Sequence, residues 1–90
     1  MNNAGRIELI RERLEGALAP EQLDIEDESH LHAGHAGARE GKGHFRVTIV
    51  CSAFADLSPI KRHKLVFNAV GDLMETDIHA LSIDARPPSP

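Results

Sequence analysis

The sequence has no tryptophan and no tyrosine, only three phenylalanines, and a single cysteine. Modules that read single-stranded nucleic acid stack bases on aromatic rings, and three Phe make a poor platform for that. A lone Cys51 cannot close an internal disulfide, so folding does not depend on oxidation. No apolar run approaches the ~20 residues of a helical membrane span, and the first residues carry no secretory apolar stretch, so a cytoplasmic protein is expected. Cations are outnumbered, with 10 Lys and Arg against 14 Asp and Glu for a formal net charge of −4. Nucleic-acid affinity rests on neutralising phosphates, so this balance disfavours nucleic acid as the default partner unless a local basic patch overrides it.

The 90 residues are enough for one domain with one core. They leave little room for a deep enclosed pocket, and binding at a surface or shallow cleft is expected. The hydrophobic share of 41% and charged share of 27% are those of an ordinary globular chain. Histidine is in excess, with 6 in 90 residues.

Between Arg6 and Leu18, apolar Ile7, Ile10, Leu14 and Leu18 recur at steps of three and four, the spacing of a helix stripe. Pro20 ends that element and biases Ala19 away from helical angles. Leu23 to Glu26 alternates as a short strand. From Ser29 to Gly43 the chain is Gly, His, Ala and charge, a long loop of the kind that more often serves function than connection. Alternation returns from His44 to Cys51, with Phe45, Val47, Ile49 and Cys51 on one face and Arg46, Thr48 and Val50 on the other.

Ser58-Pro59 is a helix start, Ser as N-cap and Pro at the first helical position. Ile60, His63, Phe67, Val70 and Met74 follow at helical spacing, joined by Val66 and Leu73, with Gly71 weakening the second half. Ile78 to Ala85 reads as a last strand with Leu81, Ile83 and Ala85 inward. The expected organisation is a free N-terminus over 1–5, one domain over 6–86, and a disordered Pro-rich tail over 87–90. The class is α/β (α+β) in the order αββαβ. The first two strands should pair antiparallel and the last two parallel, with both helices on one face of a three-stranded mixed sheet.

The histidines are the chemistry-bearing residues. His30, His32 and His35 crowd the loop, where imidazole nitrogens suit iron, zinc or copper. Gly34-His35-Ala36-Gly37 matches the G-x-x-G string of phosphate-clamping loops, although it lies between strands rather than helices. His63 sits on the apolar stripe of the second helix among Lys61, Arg62 and Lys64, whose charges favour a neutral, ligating imidazole and invite an acidic partner. Asp24, Glu26, Asp27 and Glu28 form an acidic cluster that reads as solvation. Cys51 reads as a small buried hydrophobe. No activated nucleophile is apparent, so a binding protein is expected rather than an enzyme.

Several strings carry a family likeness: Asp27-Glu28-Ser29 followed by the His-bearing loop, His44-Phe45-Arg46-Val47, Phe54, Leu57-Ser58, Arg62-His63-Lys64-Leu65-Val66, and Ile78-His79-Ala80-Leu81-Ser82-Ile83. From about Ile7 to Ala85 the chain resembles the BolA family, whose fold is a KH-like αββαβ arrangement. The resemblance implies pairing with a monothiol, CGFS-type glutaredoxin around a bridged [2Fe–2S] cluster. Thiolates of glutaredoxin and glutathione would hold one side. His63 and a loop histidine would hold the other, with alignment on Asp27-Glu28-Ser29 pointing to His32 and the longer loop leaving His35 open. Imidazole in place of thiolate gives a more easily reduced and transferred cluster. The resemblance also implies a second role, DNA-binding regulation of stress, morphology and biofilm genes, for which Lys61, Arg62 and Lys64 would contact phosphates with Arg39 and Lys42.

Overall fold

The computed structural model describes residues 3–29 and 43–88. Helix α1 (Asn3–Leu18) leads into strand β1 (Gln22–Asp27). Strand β2 (Gly43–Val50) is followed by a 3-10 turn at Ser52–Phe54, helix α2 (Pro59–Val70), the one-turn helix α3 (Leu73–Thr76) and strand β3 (Ile78–Arg86). The sheet order is β1-β2-β3, with β1 antiparallel and β3 parallel to β2, which is the expected topology with one short helix added.

The alternation of β2 decides which face is covered. Phe45, Val47, Ile49 and Cys51 are all buried, and they meet Ile10 and Leu14 of α1 and Val66 and Val70 of α2 in one core. Residues pairing across the sheet on the opposite face are polar: Asp24 with Thr48 and Asp84, Glu26 with Arg46 and Ser82. Burying apolar area at about 25 cal/mol per Å² makes the first face the one the helices must cover.

Three features differ from the reading of the sequence, two of them boundaries. Residues 3–5, expected to be free, form the first turn of α1, because Asn3 is fastened to the sheet: its Nδ2 donates to Asp27 Oδ2 (3.0 Å) and Ser29 Oγ (3.1 Å). The second helix does not run on to Met74 but stops at Gly71, whose φ of 55° and ψ of −127° lie where side chains are strained. Arg13 of α1 closes that end, donating from Nη1 to the Val70 carbonyl (3.1 Å) and to Asp72 (2.9 Å), a cation where a helix C-terminus is negative.

The third difference is a rotation of α2. Of the expected stripe and the residues joined to it, Val66, Val70 and Leu73 are buried, but Ile60 is 69% and Phe67 39% exposed. Arg62 sets this angle. Its Nε donates to the Leu57 carbonyl (2.9 Å) and its Nη1 to the Ala85 carbonyl (3.2 Å), which turns Val66 and Val70, one and two turns on, toward the sheet. The helix start is as expected, with Ser58 Oγ accepting from the Lys61 amide (3.3 Å) and Pro59 at the first position.

Candidate functional site

Segment 30–42 departs from the sheet at Ser29 and rejoins it at Gly43, and a set of short-range interactions fixes both points. The Ser29 amide donates to Asp27 Oδ1 (2.9 Å), and Ser29 Oγ accepts from both Asn3 and the His44 amide (3.1 Å each). The Gly43 amide donates to the Asp77 carbonyl (3.0 Å), and the Glu28 amide to the His44 carbonyl (2.8 Å). The Asp27-Glu28-Ser29 string therefore has a structural role: it clamps the base of the histidine-rich segment to β2. Asp77 is pinned in turn by Thr76 Oγ1, which donates to its Oδ2 (2.7 Å), and by Arg6 Nε (3.1 Å). The Thr76 hydroxyl, helped by the Arg6 charge, holds the Asp77 carboxyl below its ordinary range against the opposing push of burial.

At the same point the β2–β3 register slips. Gly43 pairs with Ile78 but His44 with Ala80, so β3 carries one extra residue, His79. Bulges re-aim side chains and recur beside functional sites. Here the extra residue is exposed, and its ring lies 5.0 Å from that of His44, centroid to centroid, with the planes tilted by 57°. His44 itself is only 4% exposed and belongs to the fold rather than to a free surface. The bulge thus presents one accessible imidazole, buttressed by a buried one, next to the base of the histidine-rich segment. The sequence held this only as a string, Ile78-His79-Ala80-Leu81, without assigning His79 a role.

His63 lies elsewhere. Its neighbour Arg62 is fastened to Ala85, which pairs with Ile49, five residues beyond His44 on β2. At about 3.3 Å per residue that is roughly 16 Å along the sheet, and α2 lies on the face opposite to that of Arg46 and Thr48. His63 is half-buried at the rim of α2, between the covered Val66 and the exposed Ile60 and Phe67. The structure does not bring it to the base of segment 30–42. Of the basic residues, Lys61 and Lys64 are exposed, whereas the guanidinium of Arg62 binds two backbone carbonyls. His30, His32, His35, Arg39, Lys42 and the Gly34–Gly37 string lie outside the described residues.

Cys51 is fully buried, with Sγ 3.0 Å from the Leu18 carbonyl to which it donates, and is not placed to act as a ligand. Among the described residues no three His, Cys, Asp or Glu side chains converge as a metal site. No helix among them is long and apolar enough to cross a membrane.

Comparison with known proteins bears on what this arrangement is for. The sequence profile of a family described as BolA-like protein matches residues 14–89. SufE-like protein 1, chloroplastic/mitochondrial, of Arabidopsis thaliana is 44% identical over 85 residues, 89% of this chain and 23% of the relative. BolA-like protein 1 of Mus musculus is 44% identical over 87 residues, 96% of this chain and 61% of the relative. Among solved structures, the BolA domain of SufE1 from Arabidopsis thaliana superposes with a TM-score of 0.80 at 41% identity, covering 92% of each chain. The solution structure of BolA1 from Mus musculus gives 0.74 at 42% identity, covering 90% of this chain and 63% of that one. The chain spans about a quarter to three-fifths of the length of these two curated relatives.

Proposed function

Since the chain belongs to the BolA-like protein family, we propose that it is a non-enzymatic partner of a monothiol glutaredoxin, the two sharing a [2Fe–2S] cluster in iron–sulfur trafficking or iron and redox sensing. The observation that carries this reading is the exposed His79, set by a register slip against His44 beside the base of the histidine-rich segment. A shared cluster asks this chain for two donors at most, and accessible neutral imidazoles are suitable donors to iron. When bound, such a cluster would supply a one-electron centre that can also be handed on.

The geometry favours His79 over His63 as the ligand from the folded body, with His32 or His35 as its companion. Three residues of extended chain span about 10 Å, enough to place a donor near His79 from Ser29. Reaching His63 requires the segment to travel roughly 16 Å along the sheet and across to the helix layer. The chain's own contribution is positional. The Asn3, Asp27 and Ser29 contacts hold the base of the segment, and His44 props the His79 ring.

DNA binding is the weaker reading. It depends on Lys61, Arg62 and Lys64, and Arg62 is already committed to Leu57 and Ala85. The open sheet face, with Asp24, Glu26 and Asp84, would repel phosphates.

The test is anaerobic reconstitution of this protein with a monothiol glutaredoxin and glutathione, followed by size exclusion and absorption and circular-dichroism spectra. The proposal expects a one-to-one coloured species with a spectrum unlike that of the glutaredoxin homodimer. Separate elution, with all colour on glutaredoxin, would remove its basis.

A further inference from the structure

We propose that the outer face of α2 is a second docking surface, built for an acidic amphipathic helix of a partner protein and separate from the His79 region. Ile60 and Phe67 are the only exposed large apolar side chains among the described residues, and both lie on this face. With His63 and Lys64 they occupy positions i, i+3, i+4 and i+7, the spacing by which one helix presents a contact stripe to another. Exposed apolar residues scattered singly need no explanation, but two in register on one helix form a patch. The packing of α2 does not require them, since Val66 and Val70 already fill the core side and Arg62 locks the rotation.

Charge identifies the occupant. The helix carries Lys61, Arg62 and Lys64 and no carboxylate, in a chain whose formal net charge is −4. Lys64 is exposed between the two apolar side chains and Lys61 beside Ile60, so the stripe sets two apolar anchors among cations. Apolar anchors flanked by charge are the anatomy of a protein interface. A phosphate backbone has no use for exposed Ile and Phe, and with Arg62 engaged only two free cations remain to meet it. The complementary ligand is a helix with apolar residues on one side and Asp or Glu beside them. Attraction between the opposite charges would speed encounter and make association salt-dependent.

The full chain can be screened against a displayed library of random 16-residue peptides, and the enriched peptides then titrated by fluorescence anisotropy. The proposal expects enriched sequences with apolar residues at helical spacing and excess carboxylates, weakening as salt rises. They should lose at least tenfold in affinity on Ile60→Ser and on Phe67→Ser. Ile60 is 69% exposed, so Ile60→Ser should keep the wild-type circular-dichroism spectrum and melting curve, while Phe67→Ser, at a position 39% exposed, should keep the folded spectrum with a lower melting temperature. An Asp24→Ser variant on the open sheet face should bind as the original does. Enriched peptides without this pattern, peptides indifferent to both substitutions, or no enrichment would each overturn the proposal. So would a random-sequence DNA duplex that displaces the peptides and depends on Ile60 and Phe67.

Discussion

Alanine at Gly43 would place a Cβ against the edge of the Phe45 ring, inside contact distance of two ring carbons, and 3.2 Å from Asn3 Oδ1. Neither neighbour is free to retreat. Phe45 is 1% exposed in the middle of the core, and Asn3 is held by Asp27, Ser29 and Arg6. Forcing one extra methyl into a close-packed site costs about 1–3 kcal/mol. Removing a glycine from the unfolded chain returns about 0.4–1 kcal/mol of that. The net expectation for Gly43→Ala is a loss of about 1–2 kcal/mol. In a domain of this size each kcal/mol moves the melting temperature by about 4–8 °C, so a fall of roughly 5–15 °C should be seen. Urea unfolding followed by far-ultraviolet circular dichroism is the suitable assay, since the chain has no Trp to report by fluorescence. The midpoint should drop with an unchanged slope. Phe45→Leu in the same background should cost less than it does alone, because the shorter side chain vacates the contested space. A Gly43→Ala variant as stable as the original, or strict additivity with Phe45→Leu, would refute the packing argument.

Gly71→Ala should lose about 1–3 kcal/mol in the same assay, because φ 55°, ψ −127° is a conformation that side chains rarely adopt. Ala19→Gly should gain about 0.5–1 kcal/mol, since Ala19 ends α1 with φ 48°, a left-handed conformation that glycine tolerates better. The lowered pKa of Asp77 predicts a pH dependence. Its ionised form binds Thr76 and Arg6 in the folded protein, so that contribution is complete above the unfolded value of about 3.9 and disappears as pH falls through the lower folded value. Asp77→Asn should therefore be less stable at neutral pH and lose less stability on acidification. Urea midpoints measured from about pH 6 down to about pH 3 would show the two curves converging.

Much of the fold was legible because it rests on strictly local signals. The period-two alternation of β2 identified four core residues, and Ser58-Pro59 marked the start of α2 to the residue. The rotation of α2 was not legible. Two apolar seams, Ile60–Phe67 and Val66–Val70, run along the same helix, and periodicity cannot rank them. The choice is made by Arg62 reaching Ala85, a contact between residues 23 apart in sequence. The register slip at His79 was hidden for a related reason. A one-residue offset exists only in the pairing of two strands, and nothing in Ile78-His79-Ala80 records where Gly43 and His44 will fall. The candidate site was accordingly read as a collection of histidines, without the place that the strand pairing gives His79.

The most direct test of the central claim compares two variants, His79→Ala and His63→Ala, each reconstituted anaerobically with a monothiol glutaredoxin and glutathione. The account predicts that His79→Ala abolishes or reshapes the circular-dichroism spectrum of the mixed species, while His63→Ala leaves its bands in place. The reverse pattern, an altered spectrum with His63→Ala and an unchanged one with His79→Ala, would contradict it.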